Sequence, residues 1–118
     1  MAQLTVRDDT VTLALSRLEQ LEGFRRSVRT PLSSITVVRA VTDPWPELRG
    51  LRAPGTGFPG VVAVGTRRGS FGKDFAVVHG KGPGVVVEMV GQEFQRWVLT
   101  VDDPDPLVAR VNMAAGLG

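Results

Sequence analysis

Short runs of alternating or β-branched apolar residues, each bounded by glycine, proline or aspartate, recur along nearly the whole chain. The alternation starts at Leu4 and Val6, breaks at Asp8 and Asp9, and resumes at Val11, which predicts an opening β-hairpin. Further strands are predicted over residues 32–41, 61–66, 75–79, 85–90 and 94–101. Because glycine-rich turns separate the last four, a meander of short antiparallel strands is expected.

Two short helices are expected between and after these strands. Ser16 and Glu19 have the spacing of a capping box, and Gly23 is a plausible stop, so one or two turns of crossover helix are predicted there. A second helix is predicted to start at Asp105 or Pro106 and to cap one open end of the sheet. Its expected apolar stripe consists of Leu107, Val108, Val111 and Met113.

The length of 118 residues fits one domain, which we expect to span residues 1–115, with a frayed tail at 116–118. With no cysteine in the chain, disulfides, thiolate metal sites and cysteine nucleophiles are excluded. The N-terminus lacks an apolar targeting segment, and no apolar run approaches the ~20 residues of a spanning helix. A soluble, cytoplasmic protein is therefore expected.

The segment 43–60 differs in composition from the predicted strands. It contains four prolines and four glycines, which remove backbone donors and permit positive φ, so a long, shaped connection is predicted. Trp45 lies between two of these prolines and either folds over the sheet as a lid, which is the favoured interpretation, or stands exposed as a contact anchor. The candidate partner contacts are Trp45, Arg49, Arg52 and Phe58.

Basic residues are concentrated in the middle of the chain. Residues 25–73 contain nine basic and two acidic side chains, whereas both flanking segments are acidic. These charges either form a basic face or pair with one another, and pairing is the more common outcome. The candidate anion contacts are Arg25, Arg26, Arg29, Arg67 and Arg68.

The motifs that would indicate catalysis or a cofactor fail on inspection. Residues 65–74 lack the glycine and the hydroxyl that a phosphate loop requires, and the spacing G-x-G-x-x-G at 55–60 precedes a β-branched run rather than a helix. His79 is the only histidine, so no triad or two-histidine metal site is predicted. Asp102 and Asp103 are expected to cap the following helix rather than to form a catalytic or calcium-binding pair. We therefore expect no enzyme activity, cofactor or metal.

The strand around Trp97 has apolar residues on both faces. Trp97 and Leu99 share one face, while Phe94 and Val98 lie on the other. One of these faces is accordingly expected to contact another chain.

Several segments together resemble the small bacterial pleckstrin-homology-like proteins, and the likeness covers nearly the whole chain. They are VTLALSRLEQLEGFRRSVRTPLSSITVV, WPELRGLRAPGTGFPGVVAVGTRRGSFGKDF, VVVEM and LTVDDPDPLVARV. The loop RGLRAPGT is the most distinctive of these matches. The resemblance implies a bent, partly open antiparallel barrel of about seven strands with a C-terminal capping helix, and it supplies no catalytic residues.

These features leave three candidate functions. A non-enzymatic protein-binding or scaffold module, with self-association as one form of it, is the leading expectation. The alternative is binding of an anionic lipid head group or nucleic acid through the arginines, which would weaken steeply with salt. An unrecognised enzyme is the least favoured, because it would need converging acidic groups in a pocket.

Overall fold

A computed structural model describes residues 3–15, 27–52, 56–58 and 62–117 of the chain. Within these ranges the chain forms ten strands, two short 3-10 helices at Leu32–Ser34 and Trp45–Glu47, and one α-helix. The prediction of a mainly β fold is confirmed. The predicted crossover helix after Ser16 lies outside the described residues.

The first three strands form a small antiparallel sheet. They are β1 (Gln3–Arg7), β2 (Thr10–Ala14) and β3 (Ser27–Pro31), in the order β1-β2-β3. Asp8 has a positive φ of 54° in the two-residue turn between β1 and β2, a conformation that aspartate tolerates better than most residues. The predicted opening hairpin is therefore confirmed.

The remaining strands form a second, larger sheet of seven strands. They are β4 (Ile35–Val41), β5 (Leu51–Arg52), β6 (Thr56–Phe58), β7 (Val62–Gly69), β8 (Gly72–His79), β9 (Gly84–Met89) and β10 (Arg96–Thr100). Their order is β4-β9-β10-β8-β7-β5, and β6 also pairs with β7. Neither sheet closes on itself within the described part of the chain.

The predicted antiparallel meander is wrong at one position. Strand β10 lies between β8 and β9, and it pairs with β8 in parallel and with β9 in antiparallel orientation. The physical reason is that β10 buries Trp97 and Leu99 on one face and Val98 on the other. A strand that is apolar on both faces is stabilised most at the centre of a sheet that is covered on both sides.

The main core lies between the two sheets. One face of the large sheet, which we call the inner face, contributes Phe75, Val77, Val85, Val87, Trp97 and Leu99 to it. The small sheet contributes residues such as Val11 and Leu13, and the C-terminal helix α1 (Pro104–Ala115) contributes Leu107 and Val111. These alternating positions match the predicted strand periodicity.

Helix α1 packs mainly against β4, where Asn112 Nδ2 donates a hydrogen bond to the Val38 carbonyl oxygen over 3.3 Å. Two expectations for this helix are corrected. Met113 is 78% exposed rather than part of the apolar stripe. The helix begins at Pro104, and Asp103 occupies the N-cap position without a capping hydrogen bond from its side chain. At the other end, Gly116 has a φ of 74°, and Leu117 N–H donates to the Asn112 carbonyl.

No helix in the described ranges is long and apolar enough to cross a membrane.

Candidate functional site on the outer face of the large sheet

The second face of the large sheet, which we call the outer face, is covered by the chain itself. A small apolar cluster of Ala63, Val78 and Val98 is buried there, separately from the main core. Residues 42–50, here called the strap, run over this cluster from the end of β4 to the start of β5. The expectation that one apolar face of β10 contacts another chain is therefore corrected, because the strap covers that face.

Trp45 is the main apolar contact of the strap. Its half-buried side chain packs with Leu48 against the outer-face cluster. The indole Nε1 donates to the Gly80 carbonyl oxygen over 2.7 Å, and the Trp45 amide donates to Asp43 Oδ1 over 3.1 Å. Trp45 therefore covers the sheet and remains partly exposed at the same time.

An open groove of about 400 Å³ lies beside Trp45. The residues that line it are Thr42, Asp43, Trp45, Lys81 and Gly82. One wall is thus a tryptophan side chain, while an aspartate and a lysine supply charge of both signs.

Glu47 attaches the middle of the strap to the sheet. Arg39 Nη2 donates to Glu47 Oε1 over 2.5 Å, and Arg96 Nη1 donates to the Glu47 backbone carbonyl over 3.2 Å. The hydrogen bond from Arg39 is the main cause that lowers the pKa of Glu47, although burial opposes it. The same hydrogen bond raises the pKa of Arg39, so both groups are charged across the physiological range.

Glu88 of β9 extends this network. Its Oε2 lies 3.6 Å from Arg96 Nη2 and 4.0 Å from Arg39 Nε. Arg96 is the register partner of Glu88 on one side and of Asp74 on the other, and directly paired residues of neighbouring strands lie on the same face. Two arginines and two carboxylates thus alternate across the outer face.

Arg49 attaches the end of the strap through a bidentate pair with Asp74. Arg49 Nε and Nη2 donate to the two carboxylate oxygens over 2.6 Å and 3.1 Å. Asp74 is only 1% exposed, so loss of Arg49 would leave a buried carboxyl group without these two hydrogen bonds. The hydrogen bond to Asp74 raises the pKa of Arg49. The guanidinium also lies 4.0 Å from the centre of the Phe71 ring.

Arg67 of β7 holds the backbone of the same segment. Its Nε donates to the Arg49 carbonyl over 3.1 Å, and its Nη2 donates to the Gly50 carbonyl over 3.2 Å. Gly50 has a φ of 81°, and a Cβ at this position would lie 2.5 Å from the Arg68 carbonyl oxygen. Only glycine therefore allows the strap to turn into β5 at this distance.

The structure brings together two of the four predicted partner contacts. Trp45 and Arg49 lie on the strap, and both contact the outer face. The backbones of Arg52 and Phe58 lie in β5 and β6, which both pair with β7. The side chains of these two residues lie outside what the structure describes.

The predicted anion contacts are distributed over both sheets. Arg29 is exposed on β3 of the small sheet, whereas Arg67 and Arg68 lie on β7 of the large sheet. Of the latter two, Arg68 is exposed and Arg67 binds the strap carbonyls. Arg25 and Arg26 lie outside the described residues.

Sequence reasoning missed the partners of the strap on the strands. They are Arg39, Asp74 and Arg96, and Glu88 in turn pairs with Arg39 and Arg96. The sequence does contain one indication of this network at Asp74, because this charged residue directly precedes the apolar run of β8. Its partner was not visible, because Arg49 is 25 residues away in sequence and the path of the strap is a tertiary property.

A second cavity, of about 220 Å³, lies between β3 and the loop that joins β9 to β10. Val28 and Arg29 line one side, and Gln92, Phe94 and Trp97 are among the residues on the other. The buried Trp97 Nε1 finds no hydrogen-bond partner in the described part of the chain. Among the described residues, no three histidine, aspartate or glutamate side chains are grouped as a metal site would require.

Comparison of the chain with models of protein families, with curated proteins and with solved structures finds no match.

Proposed function

We propose that this protein is a non-enzymatic protein-binding or scaffold module that contacts its partner through the strap. The observation that carries the proposal is the state of Trp45. Its position is fixed by the hydrogen bond to Gly80, yet its side chain is partly exposed beside the groove.

A fixed and accessible tryptophan is well suited to a protein contact. Tryptophan is enriched among the residues that dominate binding energy. Ordering a side chain on binding costs about 0.5–1.5 kcal/mol. Because the indole is already ordered by its hydrogen bond in the free protein, little of this free energy is lost on binding. Asp43 and Lys81 at the groove supply the polar rim that surrounds such a contact.

A second apolar contact is available at the end of the strap. Leu51 follows Gly50 directly and is 82% exposed. Strands β5 and β6 place the backbones of Arg52 and Phe58 along the same sheet edge. The proposed contact surface therefore extends from Trp45 along the strap to β5 and β6.

The proposal includes membership of the pleckstrin-homology-like group. It is supported by the mainly β content, by the two sheets that share one core, and by the C-terminal helix that packs on that core. The parallel pairing of β8 with β10 departs from the all-antiparallel barrel of that group.

A non-enzymatic role is supported by the use of the charged groups. Glu47, Asp74 and Glu88 each pair with arginine on the outer face. These carboxylates hold the strap and the arginines of the sheet in place, and the hydrogen bond from Arg39 lowers the pKa of Glu47, which favours its charged form.

The test is to locate the contact and then to measure it with purified components. A photoreactive amino acid in place of Pro46, which is exposed beside Trp45, identifies the partner by mass spectrometry of the cross-linked peptides. Titration calorimetry then compares the unmodified chain with Trp45→Ala and Leu51→Ser. We expect Trp45→Ala to weaken binding about tenfold or more, as hot-spot residues do.

The exposed Arg110 of α1 provides the matched control, and Arg110→Gln should leave the affinity unchanged. Sedimentation of the chain alone shows whether the partner is a second copy. Partner binding that is unchanged in both Trp45→Ala and Leu51→Ser would refute the proposal. Salt-sensitive binding to anionic vesicles or oligonucleotides that is lost in Arg68→Gln would instead favour the anion-binding alternative.

A further inference from the structure

The strap is nearly taut. It leaves β4 at one edge of the large sheet and joins β5 at the other, five strand spacings away, or about 24 Å at about 4.8 Å per spacing. It also travels along the strands, because Val41 pairs with Gly84 near one end of the sheet and Leu51 pairs with Arg68 near the other. The ten Cα-to-Cα steps from Val41 to Leu51 cover at most about 36 Å when fully extended, and the 3-10 turn at Trp45–Glu47 shortens that reach.

Side chains attach the strap to the sheet. The backbone hydrogen bonds of Glu47 and Leu48 stay within the strap, with Pro44 and Trp45 as acceptors. The described contacts with the sheet are the packing of Trp45 and Leu48 on the outer-face cluster, the side-chain bonds of Trp45, Glu47 and Arg49, and the strap carbonyls that accept from Arg67 and Arg96. The backbone ladder of the sheet therefore does not depend on the strap.

The two ends of the strap are held unequally. Strand β4 forms six residue pairs with β9, whereas β5 forms two with β7. Because the strap has little slack, lifting it pulls on both ends, and the end with fewer pairs is the one that separates first.

From these observations we infer that the strap opens as a unit by separation of β5 from β7, while the main core stays folded. Opening breaks the Arg49–Asp74 pair and uncovers the outer-face cluster of Ala63, Val78 and Val98. The protein therefore has a second apolar surface that its own strap covers and releases. This inference concerns the isolated chain and does not rest on the proposed partner.

Because the chain contains no cysteine, a single introduced thiol reports the opening. Val98→Cys places the thiol on the outer face, and Val87→Cys places it on the inner face of the adjacent strand; both valines are at most 1% exposed. Labelling with a disulfide reagent under native conditions should modify the Val98→Cys thiol at least about tenfold faster, since local opening is more frequent than global unfolding.

Arg49→Gln, combined with each cysteine variant, tests the mechanism of opening. It should raise the labelling rate of the outer-face thiol relative to the inner-face thiol, whereas Arg110→Gln should leave the ratio unchanged. Glu47→Gln serves the same purpose if Arg49→Gln fails to fold. Equal labelling of the two thiols, or a ratio unchanged by both strap variants, would overturn the inference.

Discussion

The two faces of the large sheet are buried by different means. Large apolar side chains such as Phe75, Trp97 and Leu99 fill the inner face and are at most 1% exposed. On the outer face the buried apolar residues Ala63, Val78 and Val98 are smaller, and arginine–carboxylate pairs surround them.

The two faces therefore have different roles, since one stabilises the whole fold and the other holds the strap on the sheet. Burial of apolar area is non-directional and contributes in proportion to the area removed from water. Ion pairs and hydrogen bonds depend on geometry, and each contributes little net free energy while both partners are in place. We conclude that the inner face sets the global stability, whereas the outer face determines where and how tightly the strap is held.

The largest effect is expected from truncation on the inner face. Trp97→Ala should lower the free energy of unfolding by about 3–5 kcal/mol, because it leaves a large cavity in the main core. Trp45→Ala should cost less than half as much, since that side chain is only half-buried. Urea denaturation of both variants checks the comparison, and similar losses would remove the distinction between the faces.

Breaking the buried pair should have the next largest effect. Asp74→Asn removes the charge that Arg49 binds and should destabilise the fold by about 2–3 kcal/mol. In a double-mutant cycle with Arg49→Gln, the combined loss should be smaller than the sum of the single losses, because the residues act as one pair. Strict additivity of the measured unfolding free energies would contradict the pairing.

A smaller effect is expected where the strap turns into β5. Gly50→Ala introduces a Cβ against the Arg68 carbonyl at a positive φ and should cost about 2 kcal/mol. Gly91→Ala is the matched control, because Gly91 also has a positive φ but no atom of the described residues lies within 4 Å of the added Cβ. It should cost about 1 kcal/mol. Equal losses in thermal unfolding would show that the close approach at Gly50 contributes nothing.

The smallest effect is a pH dependence at Glu47. Arg39 lowers the pKa of Glu47 in the folded state from its ordinary value of 4.5, so the pair stabilises the fold above that value and is lost as the pH falls through the lowered pKa. Because the pair is partly exposed, its contribution should stay below about 1 kcal/mol. Glu47→Gln should therefore reduce the loss of stability as the pH falls below 4.5. An unchanged pH profile would be the contrary result.

The inner face was largely predictable from sequence, and the outer face was not. Alternation of residues such as Phe75 with Asp74 and of Trp97 with Val98 is a local pattern that identifies strands and their two faces. The position of β10 beside β8, in contrast, is not a local property of the sequence. It depends on which strands occupy the centre of the sheet. Composition singled out Trp45 and Arg49 as candidate partner contacts, but their contacts within the chain are set by the diagonal path of the strap across the sheet.

The two tryptophans of the chain allow the most direct test, because each reports on one face. The Trp45 indole N–H donates from the strap to the Gly80 carbonyl, whereas the Trp97 indole N–H is buried on the inner face. Hydrogen exchange of both groups by NMR should show fast exchange at Trp45, accelerated further by Arg49→Gln, and exchange at Trp97 only at the rate of global unfolding. Equal exchange at the two indoles, or faster exchange at Trp97, would contradict the conclusion that the outer face opens independently of the core.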